Sequence, residues 1–129
     1  MKQPITTSQA PPPGGPYSQA IVAGPFIFVS GQRPADPSTG QIPEGTVAQT
    51  HQVLKNIRAI LRAAGSDLQN VVRVTTYLAD LADFDDYNQV YAQYFQEPYP
   101  ARTTVGAELR DIAVEIDVIA FHDPATTRA

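Results

Sequence analysis

Two kinds of side chain near the end of this sequence are suited to act on one small molecule, the guanidinium of Arg102 and the carboxylate of Glu115, while Asp117, two residues on, is expected to be structural. A planar guanidinium grips a carboxylate through two parallel hydrogen bonds, each contributing about 1.5–3 kcal/mol. A carboxylate in turn positions water and moves protons to and from a reacting group. The same residues have a plainer use, because Arg102 and Glu115 would also serve as an ion pair at a subunit seam. Both readings stand on the residues alone. Other chemistries are poorly supplied. The chain has no cysteine, hence no thiolate nucleophile, thiolate metal site or disulfide. Ser18 and Ser30 sit in no nucleophile-elbow pattern, and His51 and His122 are too far apart in sequence to suggest a metal pair.

The elements that must position these groups follow from periodicity. Residues 1–16, rich in Pro, Gly, Ser and Thr, predict an irregular arm. Tyr17–Val22 and Phe26–Ser30 flank Ala23-Gly24-Pro25 and predict a hairpin. Thr46-Val47-Ala48-Gln49 has the pattern of a capping box. Val47, Leu54, Ile57, Leu61 and Ala64 then recur at helical spacing until Gly65 supplies the stop. Val71–Leu78 alternates, with Val72, Val74, Thr76 and Leu78 on one side. A second helix, capped by Asp80 or Asp83, carries Phe84, Tyr87, Tyr91 and Tyr94 or Phe95 as its apolar stripe, and Pro98 and Pro100 end it. Strands near Arg102–Ala107 and Ala113–Phe121 close the fold, followed by a frayed tail at 122–129.

Two helices do not easily cover both faces of one sheet, so they are expected to pack on one, in an α+β sandwich with the other face open. In the last strand Val114, Ile116, Val118 and Ala120 point toward the helices, while Glu115, Asp117, Ile119 and Phe121 point away. In the strand before it, Thr103 and Val105 are expected toward the helices, with Arg102 and Thr104 on the same side as Glu115. An open face that carries apolar residues usually marks an interaction surface, so subunits are expected to meet across it.

With 129 residues the chain fits one domain spanning 1–129. Its net charge of −4 and two lysines, Lys2 and Lys55, argue against a nucleic-acid partner, which demands clustered Lys and Arg. No apolar run approaches the roughly 20 residues of a membrane span, and the first residues lack the apolar stretch of a secretory signal. A cytoplasmic protein with no membrane partner is expected.

Five segments carry a resemblance: Gly15-Pro16-Tyr17-Ser18-Gln19-Ala20, Phe28-Val29-Ser30-Gly31-Gln32, Tyr87-Asn88-Gln89-Val90-Tyr91, Pro100-Ala101-Arg102-Thr103-Thr104 and Val114-Glu115-Ile116-Asp117-Val118-Ile119-Ala120. In order and spacing, over about residues 10–121, they resemble the RidA/YjgF reactive-intermediate deaminase family. The resemblance implies a chorismate-mutase-like homotrimer with a site in each cleft between subunits. It implies hydrolysis of enamines and imines, such as 2-aminoacrylate and its imine tautomer, to 2-keto acids and ammonia without metal or cofactor. By the same resemblance Arg102 binds the substrate carboxylate and Glu115 positions water. Tyr17 closes one wall, the Ser30-Gly31 backbone meets the carboxylate, and Asn88 and Thr104 join the substrate-binding set. The motif context favours the ligand-binding reading of Arg102 over the ion pair.

The chain also departs from the family. Thr104 stands where many members have cysteine, and Gly106-Ala107-Glu108-Leu109-Arg110-Asp111 replaces the usual stretch beside the cleft. These changes put the substrate in question and leave two alternatives: a larger enamine acid of the aminomuconate kind, or a non-catalytic trimer that binds small carboxylates. Ribonuclease activity, also associated with the family, ranks low for so acidic a chain.

Overall fold

The computed structural model describes residues 1–122; the expected tail lies, apart from His122, outside the described residues. The strands are β1 (Gln3–Ile5), β2 (Ala20–Ala23), β3 (Phe26–Gln32), β4 (Val71–Leu78), β5 (Ala101–Gly106) and β6 (Val114–Phe121), and the helices are α1 (Thr46–Ala63) and α2 (Phe84–Tyr91). They form one mixed sheet in the order β1-β2-β3-β6-β4-β5. Every pairing is antiparallel except β4 with β5. The β4–α2–β5 crossover explains that exception, since parallel neighbours need a connection long enough to return over the sheet.

The expected α+β sandwich is present. Val53, Leu54, Ile57, Ile60 and Leu61 of α1 are fully buried, as are Ile27, Val74, Val114, Ile116 and Ala120 of the sheet. Each such Val, Leu or Ile side chain contributes about 1.5–3 kcal/mol of burial. The helix ends where Gly65 was expected to end it. Gly65 has φ 79°, its N–H bonds to the Arg62 carbonyl, and Ser66 N–H bonds to the Leu61 carbonyl, which is the Schellman arrangement. The opposite face of the sheet bears Phe26, Phe28, Val72, Val105 and Phe121, all partly exposed.

Several local expectations are corrected. The arm is not wholly irregular, because Gln3–Ile5 pairs with β2. It is held by Gln19, a buried side chain that accepts from Thr7 N–H and donates to the carbonyls of Thr7, Ala10 and Pro11. The capping box does not form. Gly45 is the N-cap with no side-chain bond, and Gln49 instead bonds to Pro43 O and Ala113 N; Val47 faces outward. Of the two expected caps, Asp83 holds the N-cap position of α2 without a side-chain bond, and Asp80 caps the 3-10 turn before it. In β4, Val71 is buried and Val72 is 40% exposed, the reverse of strict alternation. The register with β6 slips between Val71 and Arg73, and a bulge of this kind shifts every residue before it to the other side.

Candidate functional site

The residues singled out in the sequence fall into two groups at separate places. The first surrounds Arg102 on the outer strand β5. Arg102 pairs with Val74 of β4, and Thr104 with buried Thr76. Laterally paired residues share a side of the sheet, so Arg102 and Thr104 lie on the helix side. This corrects the expectation that they share a side with Glu115. Thr103 and Val105 take the open side, where Arg73 Nη2 donates to Thr103 Oγ1 over 2.6 Å.

On the helix side, α2 receives the guanidinium. Its carbon lies 4.6 Å from the Tyr91 ring centre, 5.6 Å from Tyr87 and 5.7 Å from Phe84, all within cation–π range. These rings belong to the expected apolar stripe, continued to Phe95 by tilted ring contacts. Tyr87 is fixed by a 2.6 Å bond between its hydroxyl and Thr76 Oγ1. Arg102 Nη1 donates to Asn88 Oδ1 over 2.8 Å, so Asn88 orients the arginine. Together with Tyr91, Ala92, Tyr99 and Pro100, the pair lines a cavity of about 330 Å³. Among the described residues the single ion pair is Arg62–Asp67, and Arg102 has no carboxylate partner. Arg102 and Glu115 form no ion pair within one chain.

Two hydroxyls beside this arginine, Tyr91 and Thr104, are shut from solvent without a hydrogen-bond partner. Burial is the largest cause that pushes the Tyr91 phenol up to about 12, followed by Tyr87, while Arg102 pulls it down. It is a hydrogen-bond donor, not a base.

The second group lies around the junction of β3 and β6. Between the pairs Val29–Val118 and Gln32–Ile116, two residues of β3, Ser30 and Gly31, oppose the single Asp117. This bulge brings Gly31 against Glu115, whose carboxylate occupies the space a side chain on Gly31 would need. The Ser30 hydroxyl donates to Ser18 O over 2.6 Å and Ser30 N–H bonds to Gln19 O, which ties the bulge to the start of β2. Tyr17 stands half-exposed, its hydroxyl accepting from Gly14 N–H over 3.0 Å. Tyr17 and Gly31 line a cavity of about 210 Å³ with Pro11, Pro12, Pro13, Gly14 and Arg33. Burial raises the Glu115 carboxyl above its ordinary value, Arg33 opposes this, and Asp117 adds to it. Asp117 is raised as well, mainly by burial, with the Tyr77 hydrogen bond and Arg73 acting against.

Glu115 pairs with Tyr77, which pairs with Val105, so Glu115 is on the open face and Arg102 on the other. One chain does not bring the two groups together. Sequence reasoning missed the role of Tyr87 and Tyr91 as a platform, since an aromatic stripe reads first as core. It also missed Arg33, whose only signal is a charge two residues past Gly31. A further cleft of about 450 Å³, between α1 and Phe95–Pro98, holds none of the expected site residues.

The chain is similar over most of its length to known proteins. The sequence model of the endoribonuclease L-PSP family matches residues 7–122. A RutC family protein of Pyrococcus horikoshii is 52% identical over 95% of this chain and 100% of its own length. The 2-iminobutanoate/2-iminopropanoate deaminase of Capra hircus is 48% identical over 95% of this chain and 92% of its own. Among solved structures, Escherichia coli TdcF with bound serine superposes with a TM-score of 0.89 at 37% identity, covering 94% of this chain and 99% of that one.

Proposed function

The chain belongs to the endoribonuclease L-PSP family, which is the RidA/YjgF family its motifs resemble, and we propose that it hydrolyses 2-imino acids and their enamine tautomers to 2-keto acids and ammonia. The observation that carries this reading is the unpaired Arg102 guanidinium, laid on three rings, clamped by Asn88 and facing a cavity. A cation without a counter-ion, already oriented, is a receptor for an anion. The deaminase named in Capra hircus, and the serine bound by TdcF, support a small carboxylate ligand.

The working site joins the Arg102 group of one subunit to the Glu115 group of its neighbour, in a homotrimer assembled across the open sheet face. The separation of the two groups within one chain and the partly exposed Phe26, Phe28, Val105 and Phe121 support this. Arg102 and the Gly31 N–H hold the substrate carboxylate, and Tyr17 covers the carbon chain. Glu115 and the Thr104 carbonyl hold a water against the imine carbon. Glu115 takes a proton from the water as its oxygen bonds to that carbon and hands that proton to the imine nitrogen as the C=N pair moves onto it. The resulting carbinolamine collapses. Glu115 takes the carbinolamine's hydroxyl proton and passes it to nitrogen, the C=O bond forms as the C–N bond breaks, and ammonia and the 2-keto acid leave. Water and imine are fully accounted for in these two products, so no cofactor enters. Imines hydrolyse slowly unaided, and orientation supplies the acceleration.

The test generates an imine from an amino acid with an oxidase and follows its decay spectroscopically. Arg102→Ala is expected to erase the acceleration with assembly intact. An unchanged rate removes the arginine from the mechanism, and carboxylate binding without any acceleration in the native protein replaces the enzyme with a ligand-binding trimer.

A further inference from the structure

Arg33 is a second arginine at the edge of the Glu115 group. It lines the 210 Å³ cavity with Tyr17, Gly31 and the Pro11–Gly14 stretch. Its backbone is anchored, because the buried Asn56 amide donates to the carbonyls of Arg33 and Ala35 over 3.1 and 2.9 Å. One terminal nitrogen, Nη2, donates to the Arg110 carbonyl over 3.1 Å. Arg33 makes no ion pair among the described residues. A guanidinium has five N–H donors, so several are left free beside a cavity also lined by Pro11, Pro12, Pro13 and Tyr17.

Arg33 is half-exposed, and a guanidinium with free donors beside a cavity is suited to receive an anion. In the proposed mechanism Arg102 already takes the carboxylate next to the imine carbon, so Arg33 has no use for that group. We infer that Arg33 is a specificity-determining residue that receives a second carboxylate at the far end of the substrate, and that the preferred substrates are imines of acidic amino acids. The bond to Arg110 O ties Arg33 to the 106–111 segment. Glu115 on its own would repel a second carboxylate, and the nearby Arg33 charge offsets that repulsion. The inference rests on the deaminase reading.

The experiment compares two imines made by oxidases, 2-iminoglutarate and 2-iminobutanoate, on the native protein, Arg33→Gln and Arg33→Lys. The quantity read is the ratio of kcat/KM for the first over the second. The native ratio is expected above one, to fall at least tenfold in Arg33→Gln and to recover in part in Arg33→Lys. Equal ratios in the native protein and Arg33→Gln, with both imines accelerated, overturn the role of Arg33 and leave the deaminase reading standing. No acceleration of either imine overturns that reading and this inference with it. A measurement on the native protein alone guards against a misfolded variant: 2-oxoglutarate is expected to inhibit more tightly than 2-oxobutanoate, and equal or weaker inhibition overturns the proposal.

Discussion

A Cβ on Gly31 would lie 2.6 Å from Oε2 of Glu115 and 3.2 Å from its carboxyl carbon. The absence of a side chain on the β3 bulge is thus what allows the carboxylate its place. The contact is with the free end of a side chain rather than with backbone, so the fold accommodates a methyl group by turning Glu115 aside.

Gly31→Ala therefore separates structure from chemistry. It is expected to keep its urea midpoint close to that of the native protein while kcat for imine hydrolysis drops by about a hundredfold, the scale on which a misplaced catalytic group costs rate. A circular dichroism melt beside the imine-decay assay checks both halves. Native activity in a folded Gly31→Ala removes the need for Glu115 at its observed position.

The Tyr91 ring and hydroxyl answer to different demands. The ring carries Arg102 at 4.6 Å, whereas the hydroxyl is buried without a partner. Leaving such a group unsatisfied costs about 1–3 kcal/mol. Tyr91→Phe keeps the platform and removes that cost, so the variant is expected to gain about 1 kcal/mol in urea denaturation with the arginine still oriented. Tyr91→Leu removes the platform and is expected to raise KM. A destabilised Tyr91→Phe would show that the hydroxyl has a partner in the assembled protein.

Glu115 links pH to both stability and rate. Burial raises its folded-state pKa above the unfolded one, so the folded chain binds this proton more tightly. Its contribution to stability is fully present below the ordinary carboxylate range and is lost as pH rises through the raised value. Glu115→Gln is expected to be more stable than the native chain at neutral pH, with the gap closing in acid. Urea titrations at several pH values measure this. Because the proposed mechanism uses the ionised carboxylate, the acid limb of kcat/KM is expected above the ordinary carboxylate range in the native protein. A native gap that widens in acid contradicts the assignment.

Much of this was legible in the residues. The alternation of Val114, Ile116, Val118 and Ala120 against Glu115, Asp117 and Ile119 matches the burial along β6, because a period of two needs no knowledge of neighbouring strands. Gly65 ended α1 by its own φ. The short motifs named candidate site residues without saying where each would point.

Direction came from pairing. Arg102 and Thr104 lie on the helix side because β5 runs parallel to β4 with Arg102 beside Val74, and a shift of one residue would have turned both over. The same dependence hid the bulge that buries Val71 in place of Val72, the strand made by Gln3–Ile5 and the approach of Arg33 to the Glu115 group. Composition and local period determined which elements form and which faces are apolar, since those depend on near neighbours along the chain. Which charged groups meet depended on the register between distant strands, and the tertiary structure alone decided that.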